Sequence, residues 1–409
     1  MKKKIYKIFN SYNKNEINAA KKVMESGVLS KFLGQYDKDF FGGKYVQKFE
    51  RYIEKYFRVK YAVTVNSWTS GLVACVGAIE IEPGDEIILP SWTMCACASA
   101  ILQWNAIPIF ADIDEETFNI TGKEIEKKIT KKTKAIMAVD IFGQSCDYDE
   151  INKIAKKYNL KVISDAAQSI GSKYKGKFSG TLGDVGGFSF NCHKIIRTGE
   201  GGVCVTNSKK IYKKLLLIRN HGEAVVEKMS EKNIVNIIGS NFRLGEVEAA
   251  VGIEQLKKLK KLVKQSQVYC NHLTKKLKNL NGIIPPKTLP FNTHAYYVYP
   301  IKLDLKKIRV NRKKIFKELE KLNVPAISEG YGNIHLLPMF QKKIAYGKKG
   351  FPWSLNKNKV NYSKGTLPIS ENLRDKNLIC LEMCVYAFSK KDIEFIADSF
   401  SKVWKKLKI

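Results

Sequence analysis

Two residues of opposite charge, Asp165 and Lys194, anchor a stretch whose residue types and spacing could do chemistry. It runs Asp165-Ala-Ala-Gln168, then Gly183-Asp184, then Phe188-Ser-Phe-Asn-Cys-His-Lys194, then Thr198-Gly-Glu-Gly-Gly202. Asp165 closes a strand-like run of buried type, where an unpaired carboxylate is costly. It needs a cationic partner, and a protonated pyridine nitrogen would serve while keeping such a ring an electron sink. Lys194 follows the run Phe188–Phe190 within one turn, which brings an amine to the same edge. A desolvated lysine beside a cofactor is the residue type that forms imines. Gly199-Glu-Gly-Gly202 lets the backbone turn tightly into the next strand. It lacks GxGxxG spacing, which argues against a nicotinamide enzyme. Each piece alone also has an ordinary reading: a turn-capping aspartate, a solvated lysine, a glycine turn. Order and spacing together point to cofactor chemistry.

Elements that could position these groups alternate along the chain. Short β-branched runs occur at 62–65, 86–89, 107–110, 135–139, 161–164, 187–190 and 202–205. Between them lie helical patterns such as Leu72/Val76/Ile79 and Ile151/Ile154/Ala155, at spacings of three and four. Pro83-Gly84-Asp85 marks a turn from helix to strand. Alternating strand and helix predicts a mostly parallel central sheet between helices. Ligands bind such sheets beyond the carboxyl ends of the strands. A long helical pattern through Leu244, Val251, Leu256 and Leu262 reads as the exit from this large domain, assigned to residues 1–260 with an N-terminal helical segment. A smaller C-terminal α/β domain, 261–409, is expected to hold a strand at 296–301 and helices near 312–322 and 391–404.

Composition bounds the rest. The apolar fraction of 44% is that of a soluble globular protein, and no apolar run approaches the roughly 18 residues of a membrane span. The start Met1-Lys2-Lys3-Lys4 has no apolar segment behind it, so the chain reads as cytoplasmic. Nine cysteines without CxxC pairs suit reduced, packed thiols rather than a zinc site, and no metal is expected. The formal charge of +32 comes from 71 basic against 39 acidic residues. Its excess is lysine spread along helices, whereas nucleic-acid readers lean on arginine in a localised stripe. The expectation is no nucleic acid and no membrane, with a lysine surface that attracts phosphorylated substrates.

The sequence resembles the DegT-type sugar aminotransferases, fold-type I enzymes that use pyridoxal 5'-phosphate. The family pattern DxAQ, GD, FSF-xxx-K and GEGG is present in order. Similarity extends to Gly42-Gly43, Phe49-Glu50, Pro83-Gly84-Asp85, Pro90-Ser-Trp-Thr93, Asn220-His-Gly222, Asn241-Phe-Arg243, Ala249-Ala250 and Gln255-Leu256, over nearly the whole chain. The resemblance implies that Lys194 carries the cofactor as a Schiff base and shuttles the proton. Asp165 would pair with the pyridine nitrogen, and Gln168 would bond near the ring hydroxyl. Trp92 would stack on the ring, or else be an ordinary core tryptophan. Ser189, Thr69 and Ser70 would hold the phosphate, the last two at a helix start. Asn241 would reach the phosphate in a neighbouring subunit, making a homodimer with shared sites; it also reads as a helix N-cap.

Two departures matter. Trp68 stands where the family usually has glycine, so it crowds the phosphate loop or adds a wall to the pocket. His193 adjoins Lys194, and some relatives use histidine there and become dehydratases. Counting back from Gly199 puts Lys194 at the imine position, which favours transamination. The implied reaction moves the amino group of L-glutamate, through a pyridoxamine phosphate form, onto a phosphorylated or nucleotide-linked keto-sugar for surface polysaccharide or glycan biosynthesis. Alternatives are a small phosphorylated ketone, such as dihydroxyacetone phosphate giving serinol phosphate, and a sugar dehydratase. His335, Tyr331, Arg243 and His193 are candidate substrate contacts, with packing or surface roles open for each.

Overall fold

The computed structural model describes residues 5–356 and 360–409; the basic start Met1–Lys4 lies outside the described residues. The predicted strand runs become β1 (Tyr61–Val65), β2 (Glu86–Pro90), β3 (Ile107–Ala111), β4 (Thr133–Val139) and β5 (Lys161–Asp165). A small hairpin of β6 (Lys173–Tyr174) and β7 (Lys177–Phe178) intervenes before β8 (Val185–Ser189) and β9 (Gly202–Thr206). Seven of these form one sheet in the order β1-β9-β8-β5-β4-β2-β3. Neighbours from β3 through β8 pair in parallel, and β9 runs antiparallel to both β8 and β1. The strands are buried along almost their whole length, because helices cover both faces. This is why they read as continuous apolar runs rather than alternating ones.

The topology brings the chemistry to one edge. Val65, Asp165 and Ser189 are the last residues of β1, β5 and β8, and the antiparallel β9 begins at Gly202 on the same side. Close approach there demands glycine. A Cβ on Gly187 would lie 2.0 Å from the Val203 carbonyl oxygen and 2.3 Å from the Trp68 ring.

The second, smaller sheet is antiparallel, with β10 (Ile283–Ile284), β11 (Val298–Leu303), β12 (Ile327–Ser328) and β13 (Leu378–Glu382) in the order β10-β11-β13-β12. Helices Arg312–Lys321 and Lys390–Leu407 close its core through Ile315, Leu319, Ile396 and Phe400. The expected boundary at 260/261 falls inside a single helix, Glu246–Leu277. Ala249, Ile253, Leu256 and Val263 of that helix pack with the large domain; Cys270, Leu273 and Leu277 pack with the small one. Core contacts along this helix change cluster between Val263 and Cys270. The segment around Ile334, Phe340 and Tyr362 joins the large-domain core, with the Tyr362 hydroxyl donating to the Pro108 carbonyl at 2.6 Å.

Beneath the turn that leaves β1 sits a buried ion pair. Arg219 Nη1 lies 2.6 Å from Glu50 Oε1, and the guanidinium is fully enclosed against Phe32. The same carboxylate oxygen accepts from the backbone N–H and hydroxyl of Thr64. Three elements are thereby tied together directly below the candidate site. All nine cysteines are free, and among the described residues no helix is long and apolar enough to cross a membrane.

Candidate active site

Asp165 is 3% exposed at the end of β5 and forms part of the floor of a cavity of about 330 Å³. Its Oδ1 accepts from Trp68 Nε1 at 2.7 Å and from the Ala167 backbone N–H at 3.0 Å. Its Oδ2 accepts from the Cys97 thiol at 3.2 Å. Burial pushes the Asp165 carboxyl up, and the Ala167, Cys97 and Trp68 donors and the Lys194 charge pull it back.

Lys194 lines the same cavity, half-buried, one short turn beyond β8. Its backbone N–H donates to the Asn191 carbonyl, which closes that turn and aims the side chain inward. Its Nζ stands 4.3 Å from the centroid of the Tyr297 ring, a contact that favours a cation. Desolvation nevertheless wins: it brings Lys194 down to about 8, only partly offset by the Asp165 charge.

Across the cavity, helix Trp68–Ala78 begins. Ser67 is its N-cap in extended conformation, and the hydroxyl accepts from Ser70 N–H at 3.0 Å. Thr69 and Ser189 line the cavity beside this helix start, which presents unsatisfied N–H groups and the positive end of the dipole. Ser70 faces the cap instead, its hydroxyl 2.9 Å from that of Ser67. Gln168 is fixed at both ends: Oε1 accepts from Phe142 N–H at 2.8 Å, and Nε2 donates to the Tyr331 hydroxyl at 3.1 Å. Tyr331 and Tyr297 come from sequence beyond the long helix Glu246–Leu277, and both rings pack back against the core of the large sheet.

The structure thus brings together Lys194, Asp165, Gln168, Ser189, Thr69, Trp68, His193 and Tyr331 around one cavity. It does not bring Trp92 to the cavity wall. That indole is fully buried against Phe118 and Phe142, and its N–H holds the Tyr331 carbonyl at 2.6 Å. Met94, two residues on and 52% exposed, lines the cavity in its place. His335 is also fully buried, with Nδ1 2.5 Å from the Ser91 hydroxyl and Nε2 3.0 Å from Glu371. A side chain so enclosed fixes the Tyr331 segment to the residue that follows β2 and stands apart from the cavity lining. Arg243 is half-exposed and outside the lining of this cavity, with its Nε donating to Asn220 Oδ1 at 2.9 Å. Asn241 is exposed and lies outside its own chain's cavity, while its carbonyl accepts from Asn66. The motifs missed Ser67, Cys97 and Tyr297. Ser67 carried a signal, as a serine just before an apolar helical pattern; the other two depend on contacts distant in sequence.

The residues suit pyridoxal phosphate: a buried carboxylate for a ring cation, a desolvated amine, and a capped helix start with hydroxyls for a phosphate. Among the described residues no group of His, Cys, Asp or Glu could hold a metal ion. Fold and site together define a fold-type I aminotransferase. The chain belongs to the DegT/DnrJ/EryC1/StrS aminotransferase family, whose model matches residues 11–380. It is similar to the UDP-4-amino-4,6-dideoxy-N-acetyl-beta-L-altrosamine transaminase of Campylobacter jejuni, 30% identical over 97% of this chain and 96% of that one. It is also similar to the GDP-perosamine synthase of Caulobacter vibrioides, 34% identical over 73% of this chain and 79% of that protein. Among solved structures, an aminotransferase from Psychrobacter cryohalolentis superposes with a TM-score of 0.84 at 26% identity, covering 99% of this chain and 100% of that one. The protein is a sugar aminotransferase of this family.

Proposed function

We propose that this enzyme binds pyridoxal phosphate through Lys194 and moves the amino group of L-glutamate onto a nucleotide-linked keto-sugar. The observation that carries the reading is the meeting of Lys194 and Asp165 in one cavity beside the capped helix start. When bound, pyridoxal phosphate supplies the electron sink for breaking the substrate C–H bond. Asp165 would hold the ring nitrogen protonated, Gln168 would sit at the ring edge, and Thr69, Ser189 and the helix N–H groups would take the phosphate. Lys194 Nζ would carry the proton from the donor carbon to the cofactor in one half-reaction and from the cofactor to the acceptor carbon in the other. Lys194 rather than His193 is the base: His193 is exposed, whereas Lys194 is desolvated over Tyr297. The nucleotide-sugar relatives and the +32 charge support an anionic, nucleotide-linked acceptor. Nine free thiols suit work in the reducing cytoplasm.

The working form is a homodimer with active sites shared between subunits. Exposed Asn241 is free to reach a partner's phosphate site. Beside it lie the exposed apolar side chains of Ile238, Leu29 and Leu33, a patch of the kind that marks protein interfaces. Leu29 is joined to the Asn241 segment by the Glu246 N–H on its carbonyl.

The lowered amine sets a pH dependence. A neutral Lys194 is needed to attack pyridoxal phosphate, and its fraction rises through about 8. Covalent capture by the apo-protein should therefore accelerate with pH and level off just above that value. An unperturbed lysine would keep accelerating toward its ordinary range near 10.4. Stopped-flow absorbance distinguishes the two profiles.

Transamination itself is tested by the visible absorbance of the loaded enzyme. L-Glutamate should bleach the band, and a nucleotide-linked keto-sugar should restore it. A band indifferent to L-glutamate would contradict the donor assignment.

A further inference from the structure

Trp68 is singular among the five tryptophans of the chain. The indole N–H groups of Trp92, Trp104 and Trp404 donate to the backbone carbonyls of Tyr331, Val73 and Asn281, and that of Trp353 donates to the Tyr362 hydroxyl. Trp68 alone donates to a carboxylate, that of Asp165, at 2.7 Å. Its ring is 6% exposed and occupies a slot that only glycines leave open. A Cβ on Gly71 would come within 2.7 Å of the ring, and one on Gly187 within 2.3 Å. Gly202 serves the Trp68 main chain instead, since a Cβ there would sit 2.8 Å from the Trp68 backbone nitrogen. Two elements, the helix that carries Trp68 and β8, thus give up side chains around this one indole.

The two Asp165 oxygens are consequently unequal. Oδ1 is engaged by two strong donors, Trp68 Nε1 and the Ala167 N–H. Oδ2 has the weaker thiol of Cys97 at 3.2 Å. A carboxylate anchored through one oxygen has its torsion fixed, and its other oxygen can exchange a thiol for a better, charged donor.

We propose that Trp68 is a positioning residue that fixes the Asp165 carboxylate through Oδ1 so that Oδ2 is the oxygen offered to the protonated ring nitrogen of the cofactor. This rests on the proposed pyridoxal phosphate site. Trp68 also borders the cavity, but in this role it acts through Asp165. The indole has this reach because it enters from the first turn of the helix that follows β1, beneath the cavity, where a smaller residue would leave Oδ1 with the Ala167 N–H alone.

The test is a double-mutant cycle on the affinity of the apo-protein for pyridoxal phosphate. Trp68→Phe keeps an aromatic ring in the slot and removes the donor. It should raise the dissociation constant at least about tenfold, the order expected for a hydrogen bond to a charged group. In an Asp165→Asn background the same change should cost less than about threefold, because the charged acceptor is gone. A purely structural Trp68 would cost the same in both backgrounds. Equal losses, or no loss from Trp68→Phe alone, would overturn the proposal. A second measurement needs no Trp68 variant: in the ¹⁵N indole spectrum of the apo-protein, Asp165→Asn should shift one N–H signal of the five strongly. Five unmoved signals would refute the contact. If the unaltered protein takes up no pyridoxal phosphate, the functional reading fails instead, and the indole spectrum still decides the Trp68–Asp165 contact.

Discussion

Lys194→Ala is expected to lower transamination at least about a thousandfold while leaving the fold intact. The size follows from the two tasks that converge on one amine. Positioned proton transfer alone contributes about 10²–10⁴-fold, and loss of the covalent attachment adds to it. The fold should tolerate the change because Lys194 lies half-buried on the floor of the cavity, with its side chain over Tyr297 rather than in either core. Lys194 forms no direct ion pair with Asp165, whose carboxylate keeps its Trp68, Ala167 and Cys97 donors, so the change removes a nearby charge rather than a bonded counter-ion. Steady-state turnover with L-glutamate, beside a urea unfolding curve, checks both halves. Turnover within about tenfold of the unaltered enzyme would remove Lys194 from the proton-transfer role.

Arg219→Leu is expected to be the most damaging single substitution for stability, at about 3–5 kcal/mol. The value of the pair lies less in its attraction than in what its loss leaves behind. Glu50 is buried, and it accepts from the Thr64 N–H and hydroxyl as well as from Arg219. Without the guanidinium the carboxylate keeps hydrogen bonds but loses its counter-charge in a low-dielectric core, which is the costly case. The strain would be felt at the end of β1, hence at the Ser67 cap and the phosphate side of the cavity. Urea unfolding should show a midpoint shifted sharply downward. A loss below about 1 kcal/mol would mean that the pair is solvated in solution.

What the sequence could and could not disclose follows from the range of each interaction. That Asp165, Gln168 and Lys194 meet at one cavity was legible because all three follow strand ends, and strand ends are marked by local apolar runs. The parallel sheet was legible for the same reason. Trp92 was not, because the turn after Pro90 decides which of two side chains two positions apart faces the cavity, and only the fold sets that turn. There Trp92 serves as a buried brace for Tyr331, and Met94 takes the wall. His335 meets Ser91 and Glu371 at distances in sequence that no local pattern spans. Trp68, read as a crowding residue or a wall, does line the cavity, but its hydrogen bond to Asp165, a partner 97 residues away, had no local signal. The domain division was hidden because one continuous helix serves both domains, with an apolar stripe that changes partner without a break in pattern.

Borohydride reduction of the purified, pyridoxal phosphate-loaded enzyme, followed by peptide mass mapping, tests the central claim most directly. A single phosphopyridoxyl adduct is expected, on Lys194. An adduct on another lysine, or none at all in protein that is otherwise folded, would contradict it.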